Sequence, residues 1–259
     1  MMSGETSTPA PGQFPRSVAW RQRPEWPVLD VSGSRGVDQA AMERYGMAGT
    51  TLMEWAGGGC AQRIAQLDRG GQTPWLILAG GGNNGGDGYV IARHGLLLWR
   101  NVEVLAVGAT EKLTGDARWA WQKAVEAGVT VRELASPEQV AGRLLEFDGI
   151  VFDCLLGTGS RGAPREPMAS LVRSANQGRP DRSSKDSIPK RVAVDVPTGL
   201  DADSGEASEP TFQADYTLTF VTPKPGLIKP ESAAWTGRLE IIDIGIPDEL
   251  KSELKIPTR

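Results

Sequence analysis

Apolar and polar positions alternate along the chain with two periods. Met53, Ala56, Cys60, Ile64 and Leu67 recur at helical spacing, and the stretch 51–54 ahead of them, Thr-Leu-Met-Glu, has the form of a capping box. Short apolar runs at 75–79, 102–107, 129–134, 149–156, 192–196, 216–220 and 239–244 predict strands. Between them, helical patterns are expected from after Ser34 to Tyr45 and over 89–99, 115–127, 137–146 and 167–176. Ser136 and Pro137 supply a cap and a first helical position for the fourth of these, and Gly128 ends the third. Repeated strand-helix units with nearly continuous apolar strands predict an α/β fold, a mostly parallel central sheet with helices on both faces.

Residues 1–32 carry scattered prolines, serines and threonines and are expected to form a flexible N-terminal arm, with Trp20 and Trp26 apolar enough to dock on the domain or on a partner subunit. Residues 33–259 are then one domain. The loop at 179–190, rich in proline, serine and charge, is expected at the surface.

Charge narrows the function. With 28 basic against 32 acidic residues and a net charge of −4, nucleic acid is not a favoured partner. No apolar stretch reaches 18 residues and the N-terminus has no charged-then-apolar leader, so no membrane association is expected and a cytoplasmic location is. Cys60 and Cys154 fall within apolar segments and read as small buried residues in a reducing compartment. His94 is the one histidine, which leaves histidine-rich zinc sites and histidine-based triads without support.

The candidate chemistry centres on 74–95, PWLILAGGGNNGGDGYVIARHG, read as a strand, a ligand loop over Gly80 to Gly88, and a helix. Gly80, Gly82 and Gly85 have the spacing of dinucleotide-binding turns, and glycine lets a backbone approach a ligand closely. Asp87 stands where a pyrophosphate would bind, beside the amides of Asn83 and Asn84. Cation binding, sugar hydroxyls and plain turn chemistry are all open to that set.

In a parallel sheet, ligands bind beyond the carboxyl ends of the strands. Two further strand ends carry unusual groups, 153–163 and 195–198. An acid inside GIVFDCLL is costly if buried, ionised and unpaired, so Asp153 requires a cation, backbone N–H groups or a ligand. Asp195 either organises the Pro197 turn or faces the ligand. An ordinary dehydrogenase would place a ribose-binding acid at the end of the second strand, and that strand ends Ala106-Val107-Gly108-Ala109 without one.

The ordered set GGGNNGGDGYVIARHG, VFDCLLGTGSRG, VAVDVPTGLDADSG and TFVTPKPGL resembles the YjeF N-terminal domain family, the NAD(P)HX epimerases, from about Val37 through LMEWAG to DIGIP at 243–247. The resemblance implies a three-layer Rossmann-like sandwich, a homodimer, and interconversion of the two C6 epimers of hydrated NADH or NADPH. It puts the substrate on Asn83, Asn84, Gly85, Gly86 and Asp87, on Gly157, Thr158, Gly159, Ser160, Arg161, Gly162 and Ala163, and on Asp195. It implies one potassium ion per subunit, held by Asn84, Asp153 and Thr198, the last in place of the commoner serine.

Asp195 is the expected acid/base, and Asp153 is expected to stay ionised and stabilise charge. Lys224 is a weaker candidate, since a lone lysine between prolines is usually solvated. Trp55 departs from the family's pattern, which often has asparagine there, and leaves open whether the second helix stands at a dimer or a pocket wall. The family's ADP- or ATP-dependent dehydratase often follows as a second domain; a separate dehydratase is expected here. The alternative reading is a non-catalytic nucleotide-binding or scaffold module, against which the intact NNGGD, Asp153 and Asp195 speak.

Overall fold

The computed structural model describes residues 14, 17–20, 25–68, 71–134, 137–177 and 190–257, apart from the side chains of 137–140. The expected cap at Ser136 and the loop at 179–190, Lys190 excepted, lie outside them.

Eight strands form one sheet: β1 (Val18–Ala19), β2 (Trp75–Ala79), β3 (Val102–Ala106), β4 (Thr130–Glu133), β5 (Ile150–Cys154), β6 (Arg191–Val194), β7 (Tyr216–Phe220) and β8 (Arg238–Ile242). Their order is β1-β8-β7-β6-β5-β2-β3-β4, parallel throughout except for β1, which pairs antiparallel with β8. The chain therefore winds outward from β2 to β4, returns to β5, and winds the other way. Between β2 and β5 lies the topological switch point where such sheets open a ligand crevice.

Strand alternation builds the layers. Trp75, Ile77 and Ala79 face one way and pack with Cys60, Ile64, Ile91, Ala120 and Ala124 of α2 (Gly49–Leu67), α3 (Asn83–Leu97) and α4 (Gly115–Glu126). Leu76 and Leu78 face the other way, onto Leu144 of α5 (Pro137–Glu146) and Leu171 and Val172 of α6 (Met168–Gln177). This is the three-layer α/β sandwich expected from the strand-helix alternation. A third apolar cluster joins Val37 and Ala41 of α1 (Val31–Tyr45) to Ile244, Ile246 and Leu250, carrying the packed domain past residue 247 into a C-terminal helix, Asp248–Glu253.

Two local expectations are corrected. The glycine-dense segment is a loop only as far as Gly82; helix α3 starts at Asn83, so Asn84 and Asp87 occupy its first turns. The capping box at 51–54 does not form, because α2 begins at Gly49 after Ala48. Glu54 instead turns inward, accepting from Arg93 and lying 2.6 Å from His94 Nε2. A smaller difference is that α1 starts at Val31, capped by Asp30, whose carboxylate accepts from Gly33 N–H at 2.6 Å.

The described part of the arm is tied down. Phe14 is buried edge-on against His94 and Trp55, its ring lying over Gly58, and Gln62 donates to its carbonyl. Ser17 donates to Glu240, and Trp26 Nε1 donates to the Val221 carbonyl at 2.9 Å. Trp55 thus sits under the arm and against Gly245. Among the described residues no helix is long and apolar enough to cross a membrane.

Candidate active site at the switch point

The β2 end is built by close backbone packing. A Cβ on Gly80 would stand 2.0 Å from the Leu155 carbonyl oxygen, and one on Gly85 would stand 1.9 Å from that of Gly80. Only glycine lets the turn, the start of α3 and the segment after β5 meet. Gly81 and Gly82 have nothing within 4 Å on that side and, with Asn83, form an open mouth.

Beneath the mouth, side chains from three strand ends interlock. Asn84 Nδ2 donates to the Leu156 carbonyl at 2.9 Å, while its buried Oδ1 has no partner. Asp153 is fully buried. It accepts from Thr198 N–H and Thr198 Oγ1, each at 2.7 Å, and from Leu155 N–H at 3.2 Å. Thr198 Oγ1 in turn accepts from Leu156 N–H at 3.1 Å. Burial drives the Asp153 carboxyl up to about 6, against the lowering effect of the donors from Thr198 and Leu155.

Asn84 and Thr198 both meet the Leu156 backbone, and Thr198 bonds Asp153, so an amide oxygen without a donor, a hydroxyl and a carboxylate gather around one segment; such oxygens are the kind that suit a simple cation. Among the described residues no group of three or more His, Cys, Asp or Glu side chains converges as a metal cage. Asn84, Asp153 and Thr198, named from separate motifs, are thus brought together. Of the second loop, Gly157 packs against Asn84, while Gly159 and Arg161 to Ala163 are exposed at the rim.

Asp195 follows β6 in the left-handed region at φ 63°, a conformation that costs a non-glycine residue on the order of 1 kcal/mol. Its N–H donates to Leu218, and its Oδ1 accepts from Lys224 Nζ at 2.7 Å and from Thr219 Oγ1 at 3.3 Å. Lys224 is not solvated: it is 2% exposed and also donates to Thr219 Oγ1 and the Phe220 carbonyl.

Asp87 is buried, and no hydrogen bond to its carboxyl is found among the described residues. Burial, followed by the charges of Asp195 and Asp38, pushes it well above the usual carboxylate range. Asp38, on α1, was not singled out from the sequence. The one available signal was an acid set beside the apolar stripe of Val37 and Ala41.

At the end of β3, where a ribose-binding acid would stand, Glu133 of the neighbouring strand instead accepts from Thr110 N–H and Oγ1, both at 2.7 Å. A cavity of about 210 Å³ opens there, between Gly80, Gly81 and residues 106–113. A larger one, about 750 Å³, lies far from the glycine turn between Ala19, Trp20 and residues 227–240. Of its charged lining residues, Lys229, Arg238 and Glu240, the acid is already taken up by Arg63 at 2.6 and 2.7 Å. The convergence of buried polar groups, rather than cavity size, therefore locates the site.

A doubly wound sheet with an open glycine mouth and the buried carboxyls Asp87, Asp153 and Asp195 beyond its strand ends has the form of a nucleotide-handling α/β enzyme domain. The comparisons make this specific. The chain belongs to the family described as YjeF-related protein N-terminus, whose model matches residues 49–226. It is 40% identical to an NAD(P)H-hydrate epimerase of Rhodopirellula baltica over 98% of this chain and all of that one. It is 38% identical to one from Pirellula staleyi, covering 88% of this chain and 96% of the relative. A crystal structure of a yeast protein superposes with a TM-score of 0.72 at 26% identity, covering 88% of this chain and 93% of that one.

Proposed function

We infer that this chain is an NAD(P)H-hydrate epimerase, an isomerase that interconverts the R and S forms of hydrated NADH and NADPH at C6. The observation that carries the reading is the opposition of two unlike carboxyls at the switch point. Asp87 is buried, with its carboxyl pushed well above the usual carboxylate range chiefly by that burial, and Asp195 is in an ion pair with Lys224. One carboxyl without a hydrogen-bond donor and one bonded to a buried lysine are suited to be acid and base of one reaction.

In this mechanism the open turn Gly81-Gly82-Asn83 and the rim 157–163 receive the nucleotide, and their glycines allow its backbone to lie close. Asp87 serves as the acid that donates to the C6 hydroxyl, which leaves as water while the ring nitrogen lone pair shares the positive charge. Water adds to the other face and Asp195 takes its proton, with Lys224 fixing the Asp195 side chain. Asp153 holds Thr198 and the start of the second loop in place.

Asn84 Oδ1, the Asp153 carboxylate and Thr198 Oγ1 are the groups that would hold one potassium ion per subunit. When bound, that ion supplies fixed positive charge beside the loop. A homodimer, a cytoplasmic location and a functional link to an ADP- or ATP-dependent dehydratase complete the proposal; membership of the family supports the last as a companion of this activity.

The test is direct. The purified chain is incubated, with potassium present, with one epimer of hydrated NADH, and the other is followed by NMR. Epimerisation no faster than the spontaneous rate overturns the reading.

A further inference from the structure

We propose that Arg35 of α1 holds the diphosphate of the substrate against the loop that follows β5. The inference rests on the epimerase reading and deepens it with a residue outside the stretch matched by the family model.

The need is electrostatic. Hydrated NADH and NADPH carry a diphosphate between their two ribose rings, ionised at neutral pH. The buried groups gathered beyond the strand ends include three carboxyls, Asp87, Asp153 and Asp195, and the lysine beside them, Lys224, already donates to Asp195. A diphosphate seated in this crevice therefore calls for a cation from the rim.

Arg35 stands at that rim. Its Nη2 lies 3.7 Å from the point that a Cβ on Gly159 would take, and no atom beyond the two adjoining residues comes closer to that point. Gly159 belongs to the loop whose first residue, Gly157, packs on Asn84, with 3.2 Å between the Asn84 Cβ and the place of a Gly157 Cβ. The guanidinium thus overhangs the same mouth as Asn84. It is exposed, and no ion pair or hydrogen bond engages it among the described residues. Arg161, on the loop itself, differs in facing Asp203 at 3.9 Å. Asp203 also accepts from Val31 N–H at 2.8 Å, which ties the first turn of α1 to the segment after β6. The backbone that carries Arg35 is therefore fixed while its charged end is free.

The loop beneath it presents donors. Ser160 N–H turns back to the Gly157 carbonyl at 3.1 Å. The N–H groups of Gly157, Thr158, Gly159, Arg161 and Gly162 have no protein acceptor among the described residues. Free N–H groups along a glycine-rich turn make a concavity suited to an anion. A guanidinium above such a turn adds a planar fork that matches two phosphate oxygens.

The experiment compares wild type, Arg35→Gln and Arg35→Lys on hydrated NADH and on the hydrated form of dihydronicotinamide riboside, which keeps the reacting ring and has no phosphate. Arg35→Gln is expected to lower kcat/KM for hydrated NADH by on the order of 10- to 100-fold, the worth of one or two hydrogen bonds to a charged group, chiefly through KM. Arg35→Lys, a point charge without the fork, should recover part of that loss. On the riboside, wild type and Arg35→Gln should react alike. An unchanged KM for hydrated NADH overturns the proposal, as does an equal loss on the riboside, which marks a structural role. Inorganic pyrophosphate, titrated by calorimetry, should bind wild type more tightly than Arg35→Gln, and equal binding overturns the anion site. A wild type that does not epimerise overturns the underlying reading, and the pyrophosphate titration then decides on the anion site by itself.

Discussion

Lys224 Nζ lies 2.7 Å from Asp195 Oδ1, and the lysine is almost entirely enclosed. Removing one partner of such a pair strands a charge. Lys224→Met is expected to lower stability by about 3–5 kcal/mol in urea unfolding and to abolish epimerisation. The double variant Lys224→Met/Asp195→Asn should regain much of the stability and none of the activity. Equal stability of the single and double variants would show that the pair is not coupled.

Thr198 serves two buried partners through one hydroxyl, donating to Asp153 and accepting from Leu156 N–H. Thr198→Val leaves Leu156 N–H without its acceptor and takes one of three donors from Asp153, and should cost about 1–3 kcal/mol, whereas Thr198→Ser should stay near wild type. Activity measured in potassium and in sodium chloride should differ for wild type and Thr198→Ser, and not for Thr198→Val.

The glycines of the turn divide into two kinds. Gly85→Ala forces a Cβ to within 1.9 Å of a backbone oxygen and should lower the melting temperature sharply. Gly82→Ala meets nothing within 4 Å and should melt like wild type. Its KM should nevertheless rise, because the added methyl stands where the substrate backs onto the turn; an unchanged KM would move the substrate away from Gly82.

Asp38 makes stability depend on pH in a definite direction. Its carboxyl goes from 3.8 when unfolded to about 6 when folded. Between these values the folded protein holds a proton that the unfolded chain has released. This contribution is therefore full below about 4 and is lost as pH rises through about 6. Melting temperatures of Asp38→Asn, taken across that window, should fall less with rising pH than those of wild type.

Phe14 carries the arm onto the domain. Phe14→Ala empties a site walled by Gly58, Trp55 and His94, and should cost about 3 kcal/mol by chemical denaturation. A loss below about 0.5 kcal/mol, the range of an ordinary surface change, would show that the arm does not dock there.

The sheet was legible in the sequence because parallel strands buried on both faces read as continuous apolar runs, and Trp75–Ala79 and Tyr216–Phe220 match their predicted bounds. Asp153 stood out for the converse reason, an acid inside such a run. The start of α3 was misplaced because Asn-Asn-Gly-Gly-Asp has turn chemistry locally, and tertiary packing against Gly80 and Met53 overrides it. Glu54 looked like a capping residue until its partners were known, since Arg93 and His94 lie some 40 residues away. Lys224 looked solvated for the same reason, as its ion-pair partner Asp195 lies 29 residues earlier, just past β6. Asp38 lacked any local mark, because an acid on a surface helix is ordinary until its neighbours are placed.

The outward-and-back winding of the sheet also governs when activity can first appear during folding. Residues of the site come from α1, from the β2 and β5 crossovers, and from the ends of β6 and β7, so no contiguous piece of the chain contains it. The contacts that assemble it, such as Asp153 with Thr198 and Asp195 with Lys224, require the later strands to dock beside the earlier ones. Such non-local pairings form late and slowly. In refolding, helical signal should therefore return well before epimerisation.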